Sequence, residues 1–203
     1  MKTIGITGGV GAGKSLVLDY LREKYDAVVI VADKLAHELE QPGEVCYERL
    51  VEAFGDNILD ENRYIDKIKF AAMIFSDESA LEKTNAIIHP AVKEEILKRI
   101  SLEEEAGTEL FVVEAALLIE EGYDKILSEL WYIHAKNSVR RRRLKESRGY
   151  SDEKIDSIMA QQKGEEEFRR YCVRTIDNSK DTGSTYAQID RIMEELRKQS
   201  SPV

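Results

Sequence analysis

Very little in this chain of 203 residues lends itself to cross-linking, metal caging or membrane insertion. Its two cysteines, Cys46 and Cys172, lie far apart without metal spacing, which excludes a disulfide-stapled secreted scaffold and fits reduced thiols in a cytoplasmic protein. The three histidines, His37, His89 and His134, are scattered and suggest no preformed metal cage. No apolar run approaches the roughly eighteen residues a membrane span needs, and the first apolar residues belong to a strand rather than to a leader. Positive charge is in deficit: the net charge of −9 argues against a general nucleic-acid binder or a basic membrane-surface protein. Repeats and low-complexity tracts are missing too. These absences leave a cytoplasmic protein, expected as a monomer, with no nucleic-acid or membrane partner. The length suits one α/β domain with insertions, or a core with a small satellite.

What is present starts at once. Lys2 to Thr7 reads as a short buried strand, and Gly8-Gly9-Val10-Gly11-Ala12-Gly13-Lys14-Ser15 fits G-x-x-x-x-G-K-[ST] in full. Leu16 to Leu21 continues at helical spacing. Glycines let the backbone curl so that several N–H groups aim inward at phosphate oxygens. The positive end of a helix starting near Gly13 adds to the same spot. Lys14 can reach the outer phosphates, and the Ser15 hydroxyl can ligate Mg²⁺. The pattern points to a nucleoside triphosphate.

Ala27 to Ala32 is a β-branched apolar run between Asp26 and Asp33, expected as a second strand buried on both faces of a parallel sheet. Asp33 then falls just past the strand's C-terminal end, where open parallel sheets bind ligands. A carboxylate there can orient a hydroxyl and take its proton, or simply cap the following helix. From Lys34 to about Gly107, apolar residues recur every three or four positions, predicting several helices, one of them starting near Pro90. Leu110 to Val113 predicts a strand running into Glu114, a carboxylate suited to holding Mg²⁺. Leu130 to His134 predicts another strand, Tyr171 to Asn178 the last one, and Ile189 to Leu196 a final helix before a frayed 199–203.

Between these lies Ser138-Val139-Arg140-Arg141-Arg142-Arg143-Leu144. On a helix, Arg140 and Arg143 share a face while Arg141 and Arg142 point elsewhere. Planar guanidinium forks suit the spread charge of a phosphoryl group in transfer. Arg148 beside Gly149, and one helix from Asp152 through Met159 to Phe168, would complete a lid. A GTPase switch is excluded because D-x-x-G occurs nowhere, and Asn178-Ser179-Lys180-Asp181 carries the guanine-reading residues in the wrong order. A small kinase with an acceptor-binding insertion and an arginine lid remains. The alternatives are another acceptor, such as a nucleoside or nucleotide, or an ATP-binding regulatory module without transfer.

The ordered series resembles the dephospho-coenzyme A kinase family over nearly the whole chain. It comprises Ile6 to Ser15, Val31-Ala32-Asp33, Gln41-Pro42-Gly43, Ile87-Ile88-His89-Pro90, Glu114 to Glu120, Arg143-Leu144, Arg148 to Ser151, Gln162 and Ile176-Asp177-Asn178. The resemblance implies an α/β P-loop NTPase core over residues 1–34, 107–137 and 170–203, with a parallel sheet flanked by helices. It further implies a helical CoA-binding insertion at 35–106 and a helical lid at 138–169. The implied reaction phosphorylates the 3′-hydroxyl of dephospho-CoA with ATP and Mg²⁺. In that reading Gly8, Gly9, Val10, Gly11, Ala12, Gly13, Lys14, Ser15, Leu16 and Asn178 bind the nucleotide, and Ser15 and Glu114 face the metal. Asp33, His89, Glu114 and Arg148 meet the acceptor, and Asp33, Lys14, Arg140 and Arg143 carry catalysis. The chain departs from the family pattern in three places: Val31 stands for the first aspartate of D-x-D, E-A-A-L-L-I-E replaces D-V-P-L-L-F-E, and Ser147 sits where a lid arginine is usual.

Overall fold

A computed structural model describes residues 1–200. The chain divides into two units, Met1–Val29 with Thr108–Val203, and Ile30–Gly107. The expected fraying of 201–203 lies outside the described residues, while Gln199 is still helical.

The first unit is built on the apolar runs that predicted strands. β1 (Lys2–Thr7) leads through the glycine loop into α1 (Lys14–Tyr25) and then β2 (Val28–Val31), whose last two residues are counted with the second unit. The sheet has five strands in the order β2-β3-β1-β4-β5, with β3 at Leu110–Glu114, β4 at Glu129–His134 and β5 at Arg174–Asp177. β1 runs parallel to β3 and β4, and β4 parallel to β5. Ile4, Ile6, Phe111, Val112, Trp131, Ile133 and Ile176 are fully buried in it. The register pairs Ile6 with Glu114, Thr7 with Tyr132, and His134 with Asp177. The carboxyl ends of four strands therefore form one edge, and β1 sits in the middle of it.

The second unit is helical: α2 (Ala32–Leu39), α3 (Val45–Phe54), α4 (Lys67–Ser76) and α5 (Glu78–Glu105). Asp66 and Asp77 cap α4 and α5 by accepting N–H bonds from Ile68 and Lys69, and from Ser79. Leu35, Cys46, Leu50 and Ile96 are buried, and Arg99 ties α5 to Glu38 of α2 at 2.9 Å. Back in the first unit, α6 (Asn137–Arg148), α7 (Asp152–Ala160) and α8 (Glu165–Tyr171) precede β5, and α9 (Thr182–Ser200) follows it. Tyr186 of α9 stacks on Tyr20 of α1, with ring centroids 3.6 Å apart. Asp190 accepts hydrogen bonds from Tyr20, Tyr25 and Lys24 at 2.6–2.8 Å.

Several sequence expectations are corrected. β2 is two residues shorter than its apolar run and only half-buried, because it is an edge strand. The predicted helix from Asp152 to Phe168 is two helices, with Gly164 in extended conformation as the cap of the second. The expected last strand is shortened because Tyr171 closes α8. α9 begins seven residues before its apolar pattern: Asp181 accepts from the Ser184 N–H and hydroxyl at its start. Pro90, expected near a helix start, lies inside α5. Ala80, Thr84, Ala91 and Ile96 are buried on both sides of it, and that continuous buried face carries the helix through.

An interior proline costs a helix hydrogen bond and crowds the preceding turn. Pro90 is exposed, so Pro90→Ala should stabilise the protein by about 1–3 kcal/mol after allowance for the freer unfolded chain. The denaturant midpoint checks this; an unchanged or lower midpoint would contradict it.

Candidate active site

The glycine loop and the side chains that hydrogen-bond to it belong to the first unit. Gly13 caps α1 in the left-handed region (φ 86°) and contributes no side-chain capping bond, so the first-turn N–H groups of α1 are not taken by a capping residue. Gly11 also has positive φ (81°), and the Ala12 N–H closes the loop onto Gly9 O at 3.0 Å. Lys14 Nζ donates to Gly8 O at 3.0 Å and lies 3.4 Å from Glu114 Oε1. The lysine thus spans the loop and meets the carboxylate at the end of β3. The Ser15 hydroxyl belongs to an exposed residue on the first turn of α1, and the Leu16 side chain is half-buried behind it in sequence.

Two arginines of α6 close on the same loop. Arg140 Nε donates to Val10 O at 2.9 Å, and its Nη2 donates to Gln162 Oε1. Arg143 Nη1 donates to Ala12 O at 3.1 Å and Nη2 to Asn178 O at 2.9 Å. Burial pushes both guanidiniums below the usual arginine range; for Arg140 the nearby Tyr132 partly offsets this, and for Arg143 the like charge of Arg142 adds to it. Neither guanidinium is paired with a carboxylate among the described residues. Arg141, by contrast, pairs with Asp152 and Asp156 of α7. Half-buried positive charge held only by neutral oxygens is costly, and it marks a place for an anion.

Asn178, at the end of β5, fixes the other side of the loop. Its Nδ2 donates to Ala12 O at 2.8 Å and approaches Gly13 O at 3.4 Å. A Cβ on Gly13 would run into that amide, and one on Gly9 would run into Arg140 and Gln162. Glycine is required at 13 by its left-handed backbone and the buried Asn178 amide, whereas a Cβ at 9 would push aside the ends of Arg140 and Gln162.

The structure therefore brings Lys14, Ser15, Glu114, Arg140, Arg143 and Asn178 together around residues 8–16. Arg148 stands apart at the exposed end of α6, with its guanidinium 5.8 Å from the Tyr150 ring centroid. Asp33 and His89 belong to the second unit. Asp33 is the second residue of α2, exposed in its first turn rather than at its cap, and its carbonyl is 2.7 Å from His37 Nδ1. His89 is half-buried inside α5. One loop contact, and one residue behind the loop, escaped the sequence reading. Gln162 Oε1 accepts from the Val10 N–H at 3.3 Å as well as from Arg140; its place in the ordered motif series was the available signal. Thr185, whose Oγ1 donates to Asn178 Oδ1 at 2.9 Å, had none.

A set of N–H donors, one ammonium and two unneutralised guanidiniums can hold a polyphosphate and spread the charge of a group moving off it. The family model for dephospho-CoA kinase (CoaE) matches residues 2–183 of the chain. A dephospho-CoA kinase of Aquifex aeolicus (strain VF5) is 39% identical over 199 residues, covering 98% of this chain and 99% of that relative. One of Shouchella clausii (strain KSM-K16) is 33% identical over 186 residues, 92% and 94% of the two chains. Among solved structures, a dephospho-CoA kinase from Campylobacter jejuni shares the fold at a TM-score of 0.73 and 21% identity, covering 99% of this chain and 100% of that one. A phosphate loop gripped by two arginines, in a chain matched almost end to end, thus belongs to the dephospho-CoA kinase family.

Proposed function

We propose that the chain transfers the γ-phosphoryl group of ATP to the 3′-hydroxyl of the ribose of dephospho-CoA, giving CoA and ADP. One observation carries this reading above the others: Arg140 and Arg143 are half-buried against the loop without carboxylate partners among the described residues, in a member of this kinase family.

Loop N–H groups and Lys14 hold the β- and γ-phosphates. The acceptor oxygen attacks the γ-phosphorus, the bond to the bridging oxygen breaks, and ADP leaves. Lys14, Arg140 and Arg143 offset the charge that develops on the transferring group, where an arginine is worth roughly 10³–10⁵ in rate. Asp33 is the proposed base, one residue into α2 and two past the end of β2. It orients the hydroxyl and accepts its proton as the new bond forms, a role worth roughly 10²–10⁴. His89 and Arg148 are proposed acceptor contacts, and Asn178 and Leu16 nucleotide contacts. Residues 35–106 would serve the acceptor and 138–169 would act as the lid.

Mg²⁺ fits the donor set in kind. Ser15 offers a hydroxyl and Glu114 a carboxylate, the hard oxygen ligands this ion takes. No group of three His, Cys, Asp or Glu able to hold a metal occurs among the described residues. The fit is to an ion carried in with nucleotide phosphates, which Ser15 and Glu114 would help to hold and which when bound would supply positive charge against that of the transferring group. A cytoplasmic setting and a monomeric state complete the proposal; no helix among the described residues is long and apolar enough to cross a membrane.

ADP release should depend on dephospho-CoA and stay at background with AMP, nucleosides or no acceptor; equal release with any of these would overturn the assignment. Lys14→Ala should weaken ATP binding at least tenfold and lower kcat about 10²-fold. Unchanged kinetics in that variant would contradict the role of the loop. Asp33→Asn should leave ATP affinity within about twofold while kcat falls roughly 10²–10⁴-fold. Near-normal turnover would take the base role away from Asp33.

A further inference from the structure

The hydrogen bond between Thr185 and Asn178 lies one step behind the loop and has no part in the roles above. We infer that Thr185 is a positioning residue for nucleotide binding, acting through the amide of Asn178 on the backbone of the glycine loop. This rests on the reading that residues 8–15 bind the nucleotide.

Asn178 and Thr185 are 1% and 0% exposed, so neither side chain can exchange its partner for water. Ala12 O is an acceptor and requires the amide nitrogen, 2.8 Å away. That leaves Asn178 Oδ1, the acceptor half, facing the first turns of α9. Thr185 Oγ1 supplies the donor there at 2.9 Å, and also lies 3.4 Å from Asp181 O. With the hydroxyl removed, Oδ1 would be a buried acceptor without a donor, a state that costs enough to rotate the amide away. Ala12 O would then keep only Arg143, and Gly13 O would lose its contact. Those two peptide units lead directly into Lys14 and Ser15, so their orientation sets where the loop's donors point.

The anchor behind this contact is itself hydrogen-bonded on both sides of Thr185. Gln188 Nε2 donates to Asp177 O at 2.9 Å and its Oε1 accepts from the Asp177 N–H at 3.0 Å, locking α9 to β5. Asp181 closes the start of α9 through Ser184. The Thr185 hydroxyl is thereby carried on an element that is fixed at both ends of the contact.

The test compares Thr185→Val, which keeps shape and loses the donor, with Thr185→Ser, which keeps the donor, in the full chain. ATP and ADP affinities are measured by calorimetry, and kcat and the KM values with dephospho-CoA alongside. Thr185→Val should weaken both nucleotides about tenfold, the effect of one unsatisfied buried acceptor. KM for the acceptor should stay within twofold, and Thr185→Ser should restore nucleotide affinity to within about threefold. In an Asn178→Ala background, Thr185→Val should change nucleotide affinity no further, because the two act as one unit. Wild-type nucleotide affinity in Thr185→Val, with only a lowered melting temperature, would overturn the inference. So would multiplicative effects of the two substitutions, or failure of the serine to rescue. If nucleotide affinities behave as expected but dephospho-CoA elicits no ADP, the inference stands and the acceptor assignment falls.

Discussion

Two guanidiniums taken partly out of water, and held among the described residues by carbonyl and amide oxygens, set the terms for the rest of the site. A carboxylate beside either would have been the cheapest way to satisfy a buried arginine. Instead Arg140 and Arg143 reach across from α6 to Val10 O, Ala12 O and Asn178 O, which orient the charge without cancelling it. The requirement explains neighbouring choices. Glycine at positions 9 and 13 gives the side chains room to approach the backbone. Gln162 holds Arg140 with a neutral oxygen where a glutamate would have neutralised it. Among the described residues, the cation at the loop that is given a carboxylate is Lys14, with Glu114 at 3.4 Å.

The sheet and its helices hold these groups in register. β1 is the middle strand, and the carboxyl ends of β3, β4 and β5 flank it, so Glu114 and Asn178 arrive at the loop from opposite sides. α1, which carries Lys14 and Ser15, is clamped to the last helix by Asp190 and by the stack of Tyr20 on Tyr186. Tyr25 shares that carboxylate, and burial together with Asp190 pushes its phenol up to about 12. The tyrosine remains a donor throughout the physiological range. The helical unit at Ile30–Gly107 is organised on different terms, by helices with their own buried residues, and two of these helices, α4 and α5, carry aspartate caps.

Much of this could be read from the chain alone where the local pattern was dense. The loop motif, the runs at 110–113 and 130–134, and the pairing of Arg140 with Arg143 on one helix face each need only a few adjacent residues to declare themselves. Membership of the dephospho-CoA kinase family was likewise carried by residues in order along the sequence. Reading failed where a distant partner decides. The apolar run at 27–32 resembled an interior strand, but strand order placed it at the edge. Pro90 resembled a helix start, but buried residues on both sides kept the helix going. Thr182 to Thr185 carried no apolar period, yet Asp181 and the packing of Tyr186 make them helix. Gln162 and Thr185 are uncharged and far along the chain from the backbone they influence, so composition and spacing had little to say of either.

The arginine run also has a phase. Within four consecutive residues, Arg140 and Arg143 face the loop, while Arg141 is already balanced by Asp152 and Asp156. Successive helix residues are rotated by about 100°, so adding or deleting one residue before Arg140 would present a different member of the run to the loop. Side chains now turned toward α7 would swing inward, and the wide tolerance suggested by four identical letters would vanish. Spacing inside α6 therefore decides which guanidinium meets the loop, as much as residue type does.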